Sequence, residues 1–324
     1  MNSQEIYTKS GDESRCNIEK TTSLKVSVII PNYNHAKFLH QRIDSVLMQS
    51  YSNIEVIILD DLSSDNSIRI IDEFAKKDKR ITTYYNKHNS GSPFRQWKKG
   101  IDNAKGEYIW IAESDDFADR FLLETLLHSF QINPNAKVAY CLSNFVNHKN
   151  DVVGSHLSNL SVLNPKLWKH DFCISGEEIL RKYMIIMNII PNMSSAIFKK
   201  ELVKFVDWDD IFKYKLAGDR LFWIYLLSNT DLCYIAHPYN YFRIDGATVR
   251  SNYYNSIKYL NEVLTITHLV CTKFKVPLNI KLRALKQLAI RMRNAKKENP
   301  DLLKEFSTHD FIDDLNKIVR ILIS

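Results

Sequence analysis

The sequence predicts an α/β fold built on a mainly parallel sheet. Short apolar runs rich in β-branched residues alternate with stretches of helical spacing, and turn residues cluster where each run ends. Val26-Ser27-Val28-Ile29-Ile30 is such a run, stopped by Pro31-Asn32-Tyr33-Asn34. From about Lys37 to Gln49, Phe38, Ile43, Val46 and Leu47 keep helical spacing, and a second strand runs from Ile54 to Leu59. That strand ends in Asp60-Asp61-Leu62-Ser63-Ser64-Asp65-Asn66-Ser67, ahead of a helix carrying Ile68, Ile71 and Phe74. A third strand (Arg80 to Tyr85), a loop (Asn86 to Pro93), a helix (Phe94 to Ala104) and a fourth strand (Glu107 to Ala112) complete the pattern. Such alternation implies crossover connections and helices on both faces of the sheet. Ligands then sit at the carboxyl ends of the strands, where Pro31 to Asn34, Asp60 to Ser67 and Glu113 to Asp116 fall.

Further along, a helix over Arg120 to Ile132, strands at Lys137 to Asn144 and Ser194 to Phe198, and a helix from Asp219 to Leu227 are expected. Beyond Tyr254 the pattern is nearly all helical. Within it, Lys281 to Lys297 places Leu282, Leu285, Ala289 and Met292 on one stripe, surrounded by seven Lys and Arg. The expected organisation is a polar flexible tail (1–23), an α/β domain (24–250), and a basic helical region (251–324).

With 324 residues, 45% hydrophobic and 25% charged, the composition is that of a soluble globular protein. No apolar run reaches the roughly 18 residues of a spanning helix, and the first residues lack a signal-peptide core, so the expected compartment is the cytoplasm. Cys16, Cys141, Cys173, Cys233 and Cys271 are odd in number and in no metal-ligand spacing, which argues against structural zinc and against a disulfide framework. The net charge of +7 suits anionic partners but is equally that of a solvated basic surface.

Three polar clusters carry chemistry. Glu113, Asp115 and Asp116 could hold a hard divalent ion and leave room for phosphate oxygens, or Ser114, Asp115 or Asp116 could cap the following helix. Asp60 and Asp61 could accept hydrogen bonds from a ribose or a base edge, or cap their own helix. Tyr33 could stack on a base or fill the core. No GxGxxG follows the first strand, no glycine-rich loop with an activating lysine is present, and no Ser-His-Asp or Cys-His spacing stands out. These absences argue against dinucleotide redox chemistry, nucleotidyl transfer and nucleophilic hydrolysis.

Taken together and in order, VSVIIPNYN (26–34), IILDDLSSDNS (57–67), GEYIWIAESDD (106–116) and Gly218-Asp219 followed by Phe222-Trp223 resemble the inverting family 2 glycosyltransferases of GT-A fold. The resemblance covers roughly residues 25 to 250 and implies a catalytic domain over 24–250, with a nucleotide-binding half (24–117) and an acceptor-binding half (118–250). It implies a Rossmann-like sheet flanked by helices and a nucleoside-diphosphate sugar as donor, with a uridine diphosphate sugar favoured. Pro31, Tyr33 and Asn34 match the loop lining base and ribose, and Asp61, beside Asp60, matches the base-binding acid. Glu113 and Ser114 lead into Asp115, the metal-binding acid, with Asp116 beside it. Asp219 matches the catalytic base, and Mn²⁺ or Mg²⁺ is the implied cofactor.

Glu113 stands where Asp is usual, Gly218 precedes the base where Glu is frequent, and Phe242-Arg243-Ile244-Asp245 replaces a Tyr-Arg-x-His pattern. Arg243 and, in an atypical segment, Arg95 are the implied diphosphate contacts. Trp168, Asn192, Ser194 and Ser195 are candidate acceptor-pocket residues, with core or turn roles equally open. The implied acceptor is a glycan or lipid-linked glycan in surface polysaccharide synthesis. No nucleic-acid partner is expected, and the basic C-terminal helices could touch anionic membrane at its inner face or simply pack on the domain. The rival reading is a non-catalytic sugar-nucleotide-binding or scaffold protein of the same fold.

Overall fold

The computed structural model describes residues 24–244, 256–298 and 316–322. The expected tail (1–23), Cys16 and Asp245 lie outside them. The chain forms two compact units: Met1–Ile174, Ile190–Lys204 and Thr230–Arg243 make the first, and Ser175–Ile189, Phe205–Asn229 and Ile244–Ser324 the second. This division departs from the expected boundary near residue 250, because the helix that carries Asp219 groups with the C-terminal helices.

In the first unit the expected alternation holds. It runs β1 (Val26–Asn32), α1 (Ala36–Leu47), β2 (Ile54–Asp60), α2 (Ser67–Lys77), β3 (Ile81–Tyr85), α3 (Pro93–Asn103) and β4 (Tyr108–Ile111). Then follow β5 (Phe117–Ala118), α4 (Leu122–Ile132), β6 (Ala136–Val146), β7 (Val152–Ser155), α5 (Leu157–Leu163), β8 (Phe172–Ile174), β9 (Ala196–Lys199) and β10 (Asp231–Arg243). The main path of the sheet is β3-β2-β1-β4-β9-β6-β10-β5, with β7 on β6 and β8 on β10.

The sheet is parallel from β3 to β4 and mixed beyond. β9 runs antiparallel to both β4 and β6, β10 is parallel to β6, and β5, β7 and β8 pair antiparallel. The expected parallel character therefore belongs to the first four strands. The three inner ones, β1, β2 and β4, are largely apolar on both faces because helices cover both: Val26, Val28, Ile29 and Ile30 of β1 are all fully buried, whereas the edge strand β3 exposes Thr82 and Tyr85. Gly100 marks how closely α3 approaches, since a Cβ there would lie 2.4 Å from Ile29 Cγ2 and 2.9 Å from Leu59 Cδ1.

Sequence patterning does not reveal β10, the longest strand. Pro238 and the polar Asp231, His237 and Asn240 interrupt any alternation, and its pairing with β6 shifts register between Ile235 and Asn240. Cys233 on β10 lies directly opposite Cys173 on β8, and the two form a disulfide with a Cα–Cα distance of 4.2 Å. This corrects the expectation drawn from cysteine spacing: residues 60 apart in sequence meet because antiparallel pairing makes them cross-strand neighbours.

The second unit is helical in its described residues. It holds α6 (Gly176–Ile179) with a wider turn at Leu180–Met184, α7 (Trp208–Ile211), α8 (Gly218–Leu227), α9 (Ile257–Lys273), α10 (Leu278–Glu298) and a helical segment 316–322. In α10 the packed face is not the expected stripe. Leu288, Met292 and Ala295 pack with Leu260 and Ile257 of α9, whereas Leu282 is 52% exposed and Ala289 faces out. No described helix is long and apolar enough to cross a membrane.

Candidate functional site

Strand register aligns the three polar clusters. Asn32 pairs with Asp60 across β1 and β2, and Ile29 pairs with Ile111 across β1 and β4, so Glu113 to Asp116 leave the sheet beside the β1 loop. His35 Nδ1 lies 2.8 Å from Ser114 Oγ, which ties the two loops together.

Asp60 and Asn34 work inward. Asp60 accepts from Ser63 N (2.8 Å), Ser63 Oγ (2.6 Å) and Asn32 Nδ2 (2.8 Å). Asn34 takes the left-handed conformation (φ 56°) and its Oδ1 accepts from Ser64 N at 2.8 Å. Leu62 is left-handed as well (φ 67°), a conformation that costs a non-glycine residue roughly 1–2 kcal/mol and recurs where a loop is shaped for a ligand. Tyr33, between these braces, is 49% exposed, and Pro31 is partly exposed at the end of β1.

Asp61 is the hub of the next loop. Its carboxylate accepts from Asn86 Nδ2 (2.6 Å), Ser90 N (2.9 Å), Ser90 Oγ (2.8 Å) and Gln96 Nε2 (2.9 Å). Its main-chain oxygen accepts from Asn89 Nδ2 at 3.0 Å. Asp61 thus organises the whole segment 86–96, a role its sequence neighbourhood does not announce. Arg95, one residue before Gln96, is exposed.

The acidic turn is pinned by two buried arginines. Arg42 Nε donates to Glu113 O and Arg243 Nε to Asp115 O, both at 2.8 Å. Arg243 also donates to Asn147 O and through Nη2 to Asn150 Oδ1 (2.7 Å) and Gln41 Oε1 (3.1 Å), with its guanidinium over Phe38. It is buried and committed to holding loops, a different position from the diphosphate contact expected of it. Arg42 lies over Trp110, and burial pushes its pKa down to about 10 against the opposing pull of Asp116, Asp115 and Glu113. Its two terminal nitrogens find no hydrogen-bond partner among the described residues.

Asp115 and Asp116 divide. Asp116 is 1% exposed and accepts from Asn192 Nδ2 and, at 2.9 Å, from Arg243 N. Burial, and then the neighbouring Asp115 charge, push its pKa up to about 7. Asp115 is half-buried, and no described residue hydrogen-bonds its carboxylate. Among the described residues no group of three or more His, Cys, Asp and Glu converges as a cation cage. A single accessible carboxylate still fits Mg²⁺ or Mn²⁺, hard ions that are commonly held by one or two carboxylates with water and substrate phosphates. Asp115 suits that arrangement. Asp116, expected as a second ligand, does not, because its oxygens already serve Asn192 and Arg243.

Beneath the turn, Glu113 N donates to Ser194 Oγ (3.0 Å) and Trp110 Nε1 to Ser194 O (2.8 Å), while Asn240 Nδ2 reaches Asn192 Oδ1 (3.1 Å). Asn192 and Ser194 thus brace the turn, and Ser195, also buried, donates to Asn192 O. Trp168 is core, packed against Phe172 and Tyr234. A surface depression of about 720 Å³ lies elsewhere in this unit, along Gln41, Ser45, Met48, Phe117 and Arg120, and contains none of the candidate donor residues.

In the second unit, Asp219 occupies the first turn of α8, where the helix dipole favours its ionised form. Its Oδ1 accepts from Arg220 N (2.7 Å) and its Oδ2 from Asn188 Nδ2 (3.1 Å). Arg220 is buried and donates through Nε to Met184 O at 3.0 Å, anchoring the turn from below.

Sequence reasoning passed over Arg42, although a signal exists. It sits on the apolar stripe of α1 with Leu39, Ile43 and Val46, and a charge on a buried stripe asks for a buried partner.

Residues 27–185 match the model of Glycosyl transferase family 2. Glycosyltransferase GlyG of Streptococcus pneumoniae serotype 4 is 41% identical over 106 residues, 33% of this chain and 35% of that protein. The uncharacterized glycosyltransferase RC0461 of Rickettsia conorii is 28% identical over 292 residues, 86% of this chain and 44% of that protein. The chain thus spans less than half the length of either relative. S. aureus TarS 1–349, solved with UDP-GlcNAc, superposes with a TM-score of 0.67 at 19% identity, covering 92% of this chain and 82% of that one. Mannosyltransferase PcManGT from Pyrobaculum calidifontis, solved with GDP-Man and Mn²⁺, gives 0.54 at 14% identity over 92% and 86%. Through residues 27–185 the chain belongs to the family 2 glycosyltransferases, and its sheet has the GT-A type fold of these neighbours.

Proposed function

We propose that the chain transfers a sugar from a nucleoside-diphosphate donor to an acceptor hydroxyl with inversion at the anomeric carbon. The observation that carries this reading is the half-exposed Asp115 carboxylate, free of hydrogen bonds from described residues, on a turn fixed by Arg42 and Arg243 at the sheet's carboxyl edge. Tyr33 stacks on the base, Pro31 and Asn34 shape the ribose side, and the base edge replaces one of the side-chain donors on Asp61. Glu113 and Ser114 frame the turn, and Arg95 is an exposed cation in the first turn of α3, beside the Gln96 that Asp61 holds. Asp115 holds Mn²⁺ or Mg²⁺, which when bound neutralises charge on the diphosphate.

Asp219 takes the proton from the acceptor hydroxyl as its oxygen attacks the anomeric carbon. The bond from that carbon to the diphosphate breaks on the opposite face, the diphosphate leaves with the electron pair, and configuration inverts. TarS was solved with UDP-GlcNAc, which supports a uridine diphosphate sugar as the donor. The acceptor class is a glycan or lipid-linked glycan of surface polysaccharide synthesis. The exposed Leu278, Leu282 and Ile290 on the basic α10 support peripheral contact with anionic lipid at the cytoplasmic face.

Calorimetric titration with a panel of UDP- and GDP-sugars, in Mn²⁺, in Mg²⁺ and in EDTA, tests the donor half of the reading. The expected outcome is binding of a UDP-sugar that weakens at least about tenfold in EDTA. Absence of binding by every nucleotide sugar would end it.

A further inference from the structure

Helix α8 begins without a cap of its own. Residue 217, at its N-cap, is alanine and offers no side-chain acceptor, so the orphan main-chain N–H groups at this end need a partner from elsewhere. Glu262 of α9 supplies one for Ala217 N and holds the two residues before it as well. Its Oε1 accepts from Lys215 N at 2.7 Å, and its Oε2 accepts from Leu216 N at 3.0 Å and Ala217 N at 2.8 Å. Three consecutive main-chain donors converge on one buried carboxylate, an arrangement that fixes both the turn and the direction in which the helix leaves it.

Glu262 is itself held in place, because Val263, Ile266, Thr267 and Val270 around it on α9 are buried. Asp219 follows Ala217 by two residues, and its carboxylate is braced by its own helix through Arg220 N. Together with Asn188 Nδ2 on its Oδ2 and the Arg220 anchor to Met184 O, the turn at 215–217 therefore sets where Asp219 points.

We propose that Glu262 is a positioning residue for Asp219, so that α9, beyond the family-matched segment, belongs to the machinery of proton transfer. The inference rests on the reading of Asp219 as base given above. A misplacement of about 1 Å in a reacting group can cost about 100-fold in rate, so the expected effect falls on turnover and not on donor binding.

The test uses the full chain and follows UDP release from UDP-N-acetylglucosamine with water as acceptor, or from whichever nucleotide sugar of the panel reacts fastest. Glu262→Ala is expected to lower kcat about 30- to 100-fold with donor KM within about threefold, while Glu262→Gln, which keeps an acceptor oxygen, recovers most of the loss. Hydrogen exchange at the amides of residues 215–217 should quicken at least about tenfold in Glu262→Ala. Added to Asp219→Asn, Glu262→Ala should cost nothing further, since the group it positions is already gone.

Faster exchange with unchanged kcat would overturn the proposal and leave Glu262 a plain helix cap. So would a kcat loss of equal size on both Asp219 backgrounds. Should Glu262→Ala not fold, Glu262→Asp retracts the acceptor by one methylene: a kcat about tenfold lower with KM kept supports the proposal, and an unchanged kcat overturns it. Normal turnover by Asp219→Asn would instead sink the underlying assignment of the base. An inactive Asp219→Asn beside a fully active Glu262→Ala would sink this inference alone.

Discussion

The two compact units hold their acids by different means. In the first, the acids sit at or just past the ends of strands, and Asp60, Asp61 and Asp116 are gripped directly at the carboxylate: Asp60 by Ser63 and Asn32, Asp61 by Asn86, Ser90 and Gln96, and Asp116 by Asn192 and Arg243 N. In the second, Asp219 stands on a helix whose start is tied to Glu262, 45 residues away from Ala217. One arrangement acts at the carboxylate itself, and the other acts also through the turn that starts the helix. The lesson is that a motif marks where a carboxylate is and says little about what aims it.

The sharpest way to break this comparison is to remove the charge at Asp219. Asp219→Asn should lower transfer on the order of 1000-fold in a steady-state assay and leave nucleotide-sugar affinity by calorimetry unchanged, because the base acts on the acceptor. Loss of donor affinity would mean that the division of labour is wrongly drawn.

Within the first unit the contrast between Asp115 and Asp116 is the next to probe. Asp116→Ala leaves the buried Asn192 amide and Arg243 N–H without their acceptor, and should cost about 3 kcal/mol in urea unfolding while any remaining donor binding still responds to metal. Asp115→Ala should leave stability within about 0.5 kcal/mol and weaken donor binding in Mn²⁺ on the order of 100-fold, to the level seen in EDTA. The reverse pattern would exchange the roles of the two residues.

A smaller effect is expected from the cross-link. Replacing Cys173 and Cys233 by serine should lower stability by about 2 kcal/mol, the low end for a disulfide, because β8 and β10 remain paired. The smallest concerns α10. Truncation near residue 254 would remove Glu262 together with the basic helix, so membrane contact is better tested by Leu278→Ser with Leu282→Ser in the full chain. Recovery on anionic vesicles in flotation should fall roughly fivefold, and equal recovery would end the idea of lipid contact.

Much of the first unit was legible because its physics is local. Five-residue apolar runs such as Val26–Ile30 can be little else than buried strands, and Asp60 to Ser67 announces the loop that leads from a strand into a helix. What stayed hidden depends on contacts between distant segments. β10 lacks alternation because it is bordered by β6 on one side and by β5 and β8 on the other, with a register shift at its centre.

That strand delivers Asn240 and Arg243 beneath the acidic turn, so a guanidinium expected at the diphosphate is found holding Asp115 O. Asp116 looked like a second metal ligand from its place beside Asp115, and its burial against Asn192 was invisible in the sequence. The stripe assigned to α10 failed for a similar reason. Leu282, Leu285, Ala289 and Met292 satisfy helical spacing, yet the neighbouring set of Leu288, Met292 and Ala295 faces α9.

The claim on which the rest depends is that Asp115 alone of the acidic turn meets the cation. Diffraction from crystals soaked with Mn²⁺ and UDP, with anomalous data at the manganese edge, tests it directly. The account predicts one Mn²⁺ within about 2.0–2.3 Å of an Asp115 oxygen, with diphosphate oxygens and water as its other ligands and Asp116 still bonded to Asn192 and Arg243 N. Manganese ligated by Asp116, or UDP bound in full occupancy with no metal at Asp115, would contradict it.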